Sequence, residues 1–529
     1  MSQQQQPMDW ERSSVASAQH PSPSRIWPGL LPELAERIVS FLPPNEVACT
    51  VRLINKAAAA QFRGPSHTTV QLSSPVPHHA FKQHWERPGA VRGMTFKQRW
   101  KLLWLAARSG SLPNLKVAFT ATGLSASEYV LHHHHDRIFV EQAAADAGHL
   151  EMCQWLVQQG YTLEAVAEAA ARAGQRAICE WGLAAGCAWS PELVYAAVQG
   201  RDMGLLEWLL QQRPVASATE ELEIEPSRML SAAAQYCDLP TLQRLHGVWA
   251  GGGEARGGQL SVHDKTIVLA YAAGSLTPDW QAKLVWLEAQ GFPCTEAEQA
   301  CTEAAYCPDA LDRLRWLRGR GYPLDMEHPA SVVSEAGNLE ALQYLLTTEG
   351  GMPTELRTEM RAMAAARGGG VGALALLRAH GIPMGALTAR VAARAGHLQV
   401  VAWLVETLGP AAVQLDAKVF RGAAESGNGE LLRWLRERGC PWDGDCTFTG
   451  AAAGGCEDVL EWLVEQGCPL PANGQPYLKA ALNGDLATLR CLKQLGCPWG
   501  SPGWLSAECL RNRCNETLLS WLREAGCPL

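Results

Sequence analysis

One short stretch recurs along most of this sequence. Residues 422–442, GAAESGNGELLRWLRERGCPW, are followed by a near-copy at residues 450–470 and preceded by weaker copies back to about residue 106. Gly427 supplies a left-handed position that ends a first helix, and Gly439 with Pro441 ends a second helix that carries an apolar stripe. A helix pair this short cannot bury its own apolar faces, so it needs a neighbour on each side. The pattern predicts a repeat protein.

The repeats keep a common register over most of the chain. Aligned on Trp434, they give about 14 repeats, mostly 28–31 residues apart, with anchors at Val117, Trp155, Trp181, Trp208, Arg244, Trp286, Trp316, Tyr344, Ala375, Trp403, Trp434, Trp462, Cys491 and Trp521. Glycine stands seven residues before the anchor in most repeats, Gly427 and Gly368 among them. We expect the anchor tryptophans to lie in a buried stripe and to pack as a ladder between repeats.

Length and charge narrow the class of protein. The chain has 529 residues, more than the roughly 250–300 that one core usually serves. Its net charge is −8, and this acidic balance predicts no nucleic-acid partner and no anionic membrane. No signal peptide is recognisable, and no apolar run approaches the ~18 residues of a membrane helix. We therefore expect a cytoplasmic or nuclear protein.

The 17 cysteines are predicted to be reduced and structural. Five recur directly after a helix-ending glycine, at Cys187, Cys440, Cys468, Cys497 and Cys527. Equivalent positions of stacked helices lie roughly 8–10 Å apart, whereas a disulfide needs Cα atoms within about 7 Å. There is no CxxC pair, so neither a metal nor a cofactor is expected.

The N-terminal part differs from the repeats. Composition predicts a disordered leader at residues 1–25, a helical module at 26–62, an irregular linker at 63–95 and the array at 96–529. In the module, a Leu-Pro start, an amphipathic helix, a Pro-Pro break and a second apolar helix follow one another.

These residues resemble an F-box. The matching positions are Leu31, Pro32, Leu34, Ile38, Leu42, Pro43, Val47, Val51 and Lys56, while the usual tryptophan near the end of the third helix is replaced by AAAAQF. The resemblance implies that Leu31, Pro32, Leu34, Pro43 and Val47 dock on a Skp-type adaptor, making the chain a substrate receptor of a ubiquitin ligase. The alternative is that the same helices only cap the first repeat of a plain scaffold.

The repeats themselves resemble the ankyrin repeat. AAADAGHLEMCQWLVQQG (143–160) and AARAGHLQVVAWLVETLG (392–409) match its helical half, but the Thr-Pro-Leu-His opening is absent and the period is short of ~33 residues. The resemblance implies an all-α, right-stacked helix-turn-helix solenoid with reduced fingers, and leaves open whether any β-finger persists. A protein partner would lie on its concave face. Polar residues at the ends of the first helices are candidates for that groove, or else ordinary solvated side chains: Asp146, Arg172, Arg394, Glu425 and Ser426.

Other patterns give no catalytic site. His132 to His135 with Asp136 could bind a metal, but a low-complexity histidine tract accounts for them better. The glycine run after Arg367 lacks the flanking residues of a phosphate loop and coincides with the turn of a repeat. No nucleophile and base are distinguishable. We expect a binding protein and not an enzyme.

Overall fold

The computed structural model describes residues 31–124, 139–214, 223–249, 260–325, 327–347, 358–512, 514 and 516–528. Within these ranges every regular element is helical and no strand occurs. The all-α helical-repeat prediction is therefore confirmed. The chain divides into two compact units, Met1–Tyr161 and Thr162–Leu529, which we call the N-terminal and the C-terminal unit.

The N-terminal unit contains short helices followed by two helix pairs. A 3₁₀ turn, Val51–Leu53, joins its second and third helices. The α-helices are α1 Pro32–Val39, α2 Pro44–Cys49, α3 Lys56–Gln61, α4 Pro65–Thr68, α5 His78–Trp85, α6 Phe96–Arg108, α7 Leu112–Thr122, α8 Val140–Asp146 and α9 Leu150–Gln158.

Helices α1 to α3 form a small module with its own core. Proline stands at the first position of both α1 and α2, where its missing N–H would have no partner in any case. The side chains that meet inside are Ala35, Val39, Val47, Val51 and Phe62. Asn55 caps α3 by accepting a hydrogen bond from the Ala58 N–H at 2.9 Å.

The segment predicted as a linker is more ordered than expected. Asn45 of α2 is buried, and its amide nitrogen donates to the carbonyls of Gln71, Ser74 and Pro75 at 2.8, 3.2 and 3.0 Å. Its Oδ1 accepts from the Gln71 N–H at 2.8 Å. One buried amide therefore fixes the turn that follows the module. The proline-rich composition does not show where a distant amide donates.

Helix α5 extends this ordered segment. Its Phe81 and Trp85 are buried, and the helix packs on α7. Asn114 of α7 donates to the Val76 carbonyl at 2.8 Å, just before α5 begins. Residues 63–95 thus contribute to the core of the N-terminal unit.

In its described residues the C-terminal unit is a stack of helix pairs, with a 3₁₀ turn at Cys294–Glu296 and a short extra helix, α26. Its helices are α10 Leu163–Arg172, α11 Arg176–Ala184, α12 Pro191–Gln199, α13 Met203–Gln211, α14 Pro226–Tyr236, α15 Leu239–Trp249, α16 Val262–Ala273, α17 Trp280–Ala289, α18 Ala300–Ala305, α19 Ala310–Gly319, α20 Glu327–Ala336, α21 Leu339–Thr347, α22 Met360–Gly368, α23 Val371–Ala379, α24 Ala386–Arg394, α25 Leu398–Leu408, α26 Pro410–Val413, α27 Ala417–Ser426, α28 Gly429–Glu437, α29 Gly444–Gly454, α30 Glu457–Glu465, α31 Gln475–Leu482, α32 Leu486–Gln494, α33 Trp504–Arg511 and α34 Glu516–Glu524.

Small side chains let the first helices of neighbouring pairs pack closely. Ala423 and Ala424 of α27 are completely buried, and α27 packs on α24 and α29. A Cβ atom added to Gly454 of α29 would lie 2.2 Å from the Glu425 carbonyl oxygen. Alanine and glycine are therefore required because the backbones of successive first helices touch.

The second helices supply the larger apolar side chains. In α28, Leu431, Leu432 and Leu435 are completely buried, whereas Trp434 is only half-buried. The expectation of a buried tryptophan stripe is thus wrong for the anchor itself, because the indole lies at the edge of the buried face. Anchors still contact the neighbouring repeat: the Arg176 guanidinium lies 5.2 Å from the ring centre of Trp208.

Most first helices end at a left-handed glycine, as predicted. Gly427 has φ 70° and Gly396 has φ 77°. In the glycine run after Arg367 the left-handed residue is Gly369, with φ 77°, and not Gly368. The anchor of this repeat is therefore Leu376 in place of Ala375. Gly368 is needed for another reason, since its Cβ would lie 1.9 Å from the Glu335 carbonyl oxygen.

Several repeats have another residue at the aligned glycine position. In two successive repeats this residue is an aspartate, Asp279 or Asp309, which directly precedes the second helix and is followed by a buried cation. Lys283, fully buried, donates to the Ala234 carbonyl at 2.9 Å and to the hydroxyls of Ser275 and Thr277 at 2.7 Å each. Each cation therefore reaches back to the preceding repeat.

Arg313 does the same one repeat later. Its Nη1 donates to the carbonyls of Ala273 and Ser275 at 2.7 and 2.9 Å, and its Nε donates to Asp309 at 2.8 Å. The two cations occupy the position that Leu431 holds in its own repeat, three residues before the anchor. A polar link thus replaces an apolar contact at one point of the stack.

Candidate functional site

Helix α1 carries apolar residues on two sides, and only one side faces the core. Ala35 and Val39 are buried, whereas Leu31, Leu34 and Ile38 are 63%, 48% and 50% exposed. The turns that follow expose further large apolar side chains. We call the exposed set the N-terminal apolar surface: Leu31, Leu34, Ile38, Phe41, Leu42, Leu53 and Ile54.

This surface includes two of the five residues predicted to dock a partner, and two more lie beside it. Leu31 and Leu34 belong to it, Pro32 at the start of α1 is exposed, and Pro43 is exposed next to Leu42. Val47 has to be removed from the prediction, because it is 2% exposed and packs in the module core. Helical spacing could not separate Val47 from its exposed neighbours, since both faces of these short helices are apolar.

Sequence reasoning gave little weight to the most exposed members. Phe41 is 81% exposed and Leu53 is 72% exposed, although both are large and apolar. Isolated exposed apolar residues are normal, but a contiguous exposed set marks an interaction site. The sequence could have indicated this surface, because the module contains more apolar residues than so small a core can bury.

The candidate groove residues lie at the ends of first helices, and several of them pair across repeats. Arg172 donates to Gln199 at 2.9 Å. Arg394 binds Glu425, with Nη2 and Nε at 2.6 and 2.9 Å from Oε1. Their guanidinium groups therefore already link one repeat to the next.

The two remaining candidates sit differently. The Ser426 hydroxyl donates to the Ala423 carbonyl at 2.8 Å and accepts from the Asn428 N–H at 3.2 Å, which closes its own turn. Asp146 is half-buried at the end of α8, in the N-terminal unit. Within the C-terminal unit, Arg394, Glu425 and Ser426 lie in adjacent repeats, whereas Arg172 lies in an earlier repeat.

The turn after Arg367 is closed by the following repeat. His397 places its ring nitrogen Nε2 3.0 Å from the Arg367 carbonyl oxygen, and a Cβ on Gly369 would lie 2.9 Å from the same ring. His149 occupies the equivalent place against Arg108 and Gly110 in the N-terminal unit. These histidines support turns, and the turn of the glycine run is already contacted by the histidine of the following repeat.

Potential metal and thiol chemistry has little support. His132 to His135 and Asp136 lie outside the described residues, and among those described no group of three His, Cys, Asp or Glu side chains could hold a metal ion. All 17 cysteines are free thiols. Burial raises the pKa of Cys153, Cys179 and Cys440 to about 12, so these thiols stay protonated near neutral pH. In the described part of the chain, no helix is both long enough and apolar enough to cross a membrane.

Comparison with known proteins finds similarity only among solved structures. No family model matches the chain, and no curated protein does. The ankyrin and F-box resemblances therefore stay predictions. The similar structures include the pentatricopeptide repeat protein PPR10 from maize, at 13% identity over 95% of this chain and 79% of that one, with a TM-score of 0.29.

The same maize protein also matches in complex with an 18-nt psaJ RNA element, at 12% identity over 94% of this chain and 83% of that one, with a TM-score of 0.29. A triple cysteine-to-serine variant of that complex matches equally. This likeness agrees with a helical-repeat fold and goes no further.

The prediction of no nucleic-acid partner does not stand, and two of the similar structures are RNA complexes. Its premise was the net charge of −8, which averages over the whole chain. A local face of a long repeat stack can carry the opposite sign, because only charges within about 10 Å act on a bound ligand at ordinary ionic strength. We therefore withdraw that exclusion.

Proposed function

We propose that this helical-repeat protein recognises a target through its stack of repeats and docks on an F-box-type ubiquitin ligase through the N-terminal apolar surface. The observation that carries the proposal is the exposure of seven large apolar side chains on a module that already has its own core. The proposed role is recognition, without covalent chemistry by this chain.

The module core explains why the surface is free for a partner. Ala35, Val39 and Val47 already hold α1 and α2 together, so Leu34 and Phe41 are not needed to fold the module. Each large apolar side chain buried on docking contributes roughly 1.5–3 kcal/mol. Several together are enough for a specific complex after the entropy of association is subtracted.

Exposure also bears on the alternative, in which the same helices cap the array. A cap would bury the outer side of α1, yet Leu31 and Leu34 lie in water. This favours docking over capping. The missing tryptophan after α3 favours the plain scaffold, so that hypothesis stays as the second candidate.

The test uses the full-length chain and a purified Skp-type adaptor. We expect direct binding, and Phe41→Ser and Leu34→Ser should each weaken it at least about tenfold because an apolar contact is lost. Both side chains are exposed, so the thermal unfolding midpoint should not change.

The matched control is Val285→Ser, which removes an apolar side chain that is 46% exposed on α17. It should leave adaptor binding unchanged. If the unmodified chain does not bind the adaptor, the ligase role is excluded and the scaffold hypothesis remains.

A further inference from the structure

Three successive first helices, α22, α24 and α27, carry exposed or half-buried cationic and apolar side chains at equivalent positions. Met360, Leu387 and Lys418 stand at equivalent positions near the helix starts, each nine residues before a left-handed glycine. Arg390 and Arg421 are equivalent to each other one turn later. With Arg394 near the helix end, these six residues define what we call the cationic face.

Close helix packing brings these positions side by side. A Cβ on Gly422 of α27 would lie 3.1 Å from the Arg394 nitrogen and 3.2 Å from the Arg390 carbonyl oxygen. The α27 backbone therefore rests on α24, and equivalent side chains stand about one helix spacing apart, roughly 8–10 Å. A short extended or helical peptide can span two or three such steps.

The face carries more positive charge than its own carboxylates neutralise. Arg394 is paired with Glu425, and Arg390 with Asp416. Lys418 and Arg421 form no ion pair with any described residue. In a chain of net charge −8, two unpaired cations one helical turn apart are a local excess that attracts an anionic ligand.

Exposed apolar side chains lie next to these cations. Met360 is 62% exposed and Leu387 is 47% exposed, and both sit in the same row as Lys418. Apolar anchors beside charges are typical of peptide grooves, where a few buried side chains supply most of the affinity.

We propose that the cationic face binds an acidic peptide segment of a partner, with its carboxylates on Lys418 and Arg421 and an apolar side chain on Leu387 and Met360. The inference rests on the proposed recognition function and names the chemical class of the target. Nucleic acid fits less well, because Glu425 and Asp416 on this face would repel phosphates and no aromatic ring of the six residues offers a stacking surface.

The experiment measures fluorescence anisotropy with the full-length chain and three labelled probes of similar length. These are a peptide of repeated Glu-Glu-Leu, the same peptide with Lys replacing Glu, and a single-stranded oligouridylate RNA. We expect the acidic peptide to bind best, and its affinity to fall as salt is raised.

Two variants locate the binding. Lys418→Glu combined with Arg421→Glu should weaken binding of the acidic peptide at least about tenfold, because two attractions become repulsions. Lys418→Glu alone, at an exposed position, should weaken it severalfold without disturbing any contact that Arg421 makes with α29. The matched control is Lys493→Glu, an exposed lysine of α32, which should leave affinity unchanged.

Equal or tighter binding of the RNA would overturn the proposal, and so would acidic-peptide binding that the double variant does not change. Either result is distinct from failure of the proposed ligase role, which is read from adaptor binding at the N-terminal apolar surface. Leu387→Ser should reduce acidic-peptide affinity severalfold without altering its salt dependence, since it removes no charge.

Discussion

Two regions of the C-terminal unit close the same turn by different chemistry. Around α27 and α28 the turn uses left-handed Gly427, and Asn428 links the repeats by donating to the Gly396 carbonyl at 2.8 Å. Around α16 to α19, aspartate replaces glycine, and buried Lys283 or Arg313 makes the link. We call these the glycine turns and the cation turns.

The difference shows that residues at several positions of one repeat change together. The two repeats that carry aspartate at the glycine position also have a buried cation three residues before the anchor, and Asp279 or Asp309 lies near that cation. A glycine turn satisfies helix-end carbonyls with backbone N–H groups, whereas a cation turn reaches them with a side chain. Neither half of a set would be useful alone.

Removal of the buried lysine should break a cation turn. Lys283→Met leaves the Ala234 carbonyl and the buried Ser275 and Thr277 hydroxyls without their donor, which should cost about 3 kcal/mol of unfolding free energy. Urea unfolding of the full chain, with hydrogen exchange in α16 and α17 to locate the loss, measures it. Lys493→Met is the exposed control, and a loss under about 1 kcal/mol for Lys283→Met would contradict the account.

Glycine substitutions should separate close packing from left-handed geometry. Gly368→Ala drives a Cβ to 1.9 Å from the Glu335 carbonyl oxygen, so α22 must shift from α20 at a cost of about 2 kcal/mol. A Cβ on Gly439 would have no heavy atom within 4 Å. The cost of Gly439→Ala therefore comes only from its left-handed φ of 68° and should be about 1 kcal/mol. Thermal or urea unfolding of both variants tests this order, and a reversed order would show that backbone contact does not limit the stack.

The pH dependence of stability should distinguish the two turns further. Burial lowers the pKa of Lys283 to about 8, against an ordinary value of 10.5 in the unfolded chain. Between these values the unfolded state binds more protons, so this lysine stabilises the fold increasingly as pH rises. The stability difference between the unmodified chain and Lys283→Met should grow by up to about 1.4 kcal/mol per pH unit above pH 8.

Buried thiols should change the stability of the fold with pH in the direction opposite to Lys283, so they provide a comparison. Burial raises the pKa of Cys440 and Cys497 to about 12 from 9.0, so these thiols ionise first in the unfolded chain and stability falls above pH 9. Urea unfolding of Lys283→Met and Cys440→Ala at several pH values should give slopes of opposite sign relative to the unmodified chain. Parallel slopes would mean that Lys283 stays charged in the folded protein.

Much of the fold followed from the sequence because local patterns determine it. The spacing of Gly427 and Trp434 alone was enough to predict the helix pairs. The glycine run at residues 368–370 gave the wrong register by one residue, since adjacent glycines carry no marker of which one turns left-handed. The sequence predicted a buried Trp434, whereas its side chain is half-buried, because helical spacing identifies an apolar stripe but does not locate the edges of that stripe.

The candidate sites depend on side-chain contacts between different helices, and the spacing of residues in the sequence does not reveal these contacts. The pairing of Arg394 with Glu425 joins residues from different repeats, so nothing in either segment predicts it. Val47 and Leu34 looked alike because both are apolar at helical spacing, and only the packing of α1 on α2 separates core from surface. The cation turns were missed because an isolated Lys283 reads as a solvated residue.

The N-terminal apolar surface has a consequence for how much of this protein a cell can hold. If the proposed docking role holds, a chain that keeps Phe41 and Leu53 in water associates with its own copies once it outnumbers its partner. Its abundance should therefore follow the supply of that partner, with unaccompanied copies removed by chaperones and proteases. Self-association should therefore increase as the concentration of the chain alone is raised, and addition of the adaptor should reverse it.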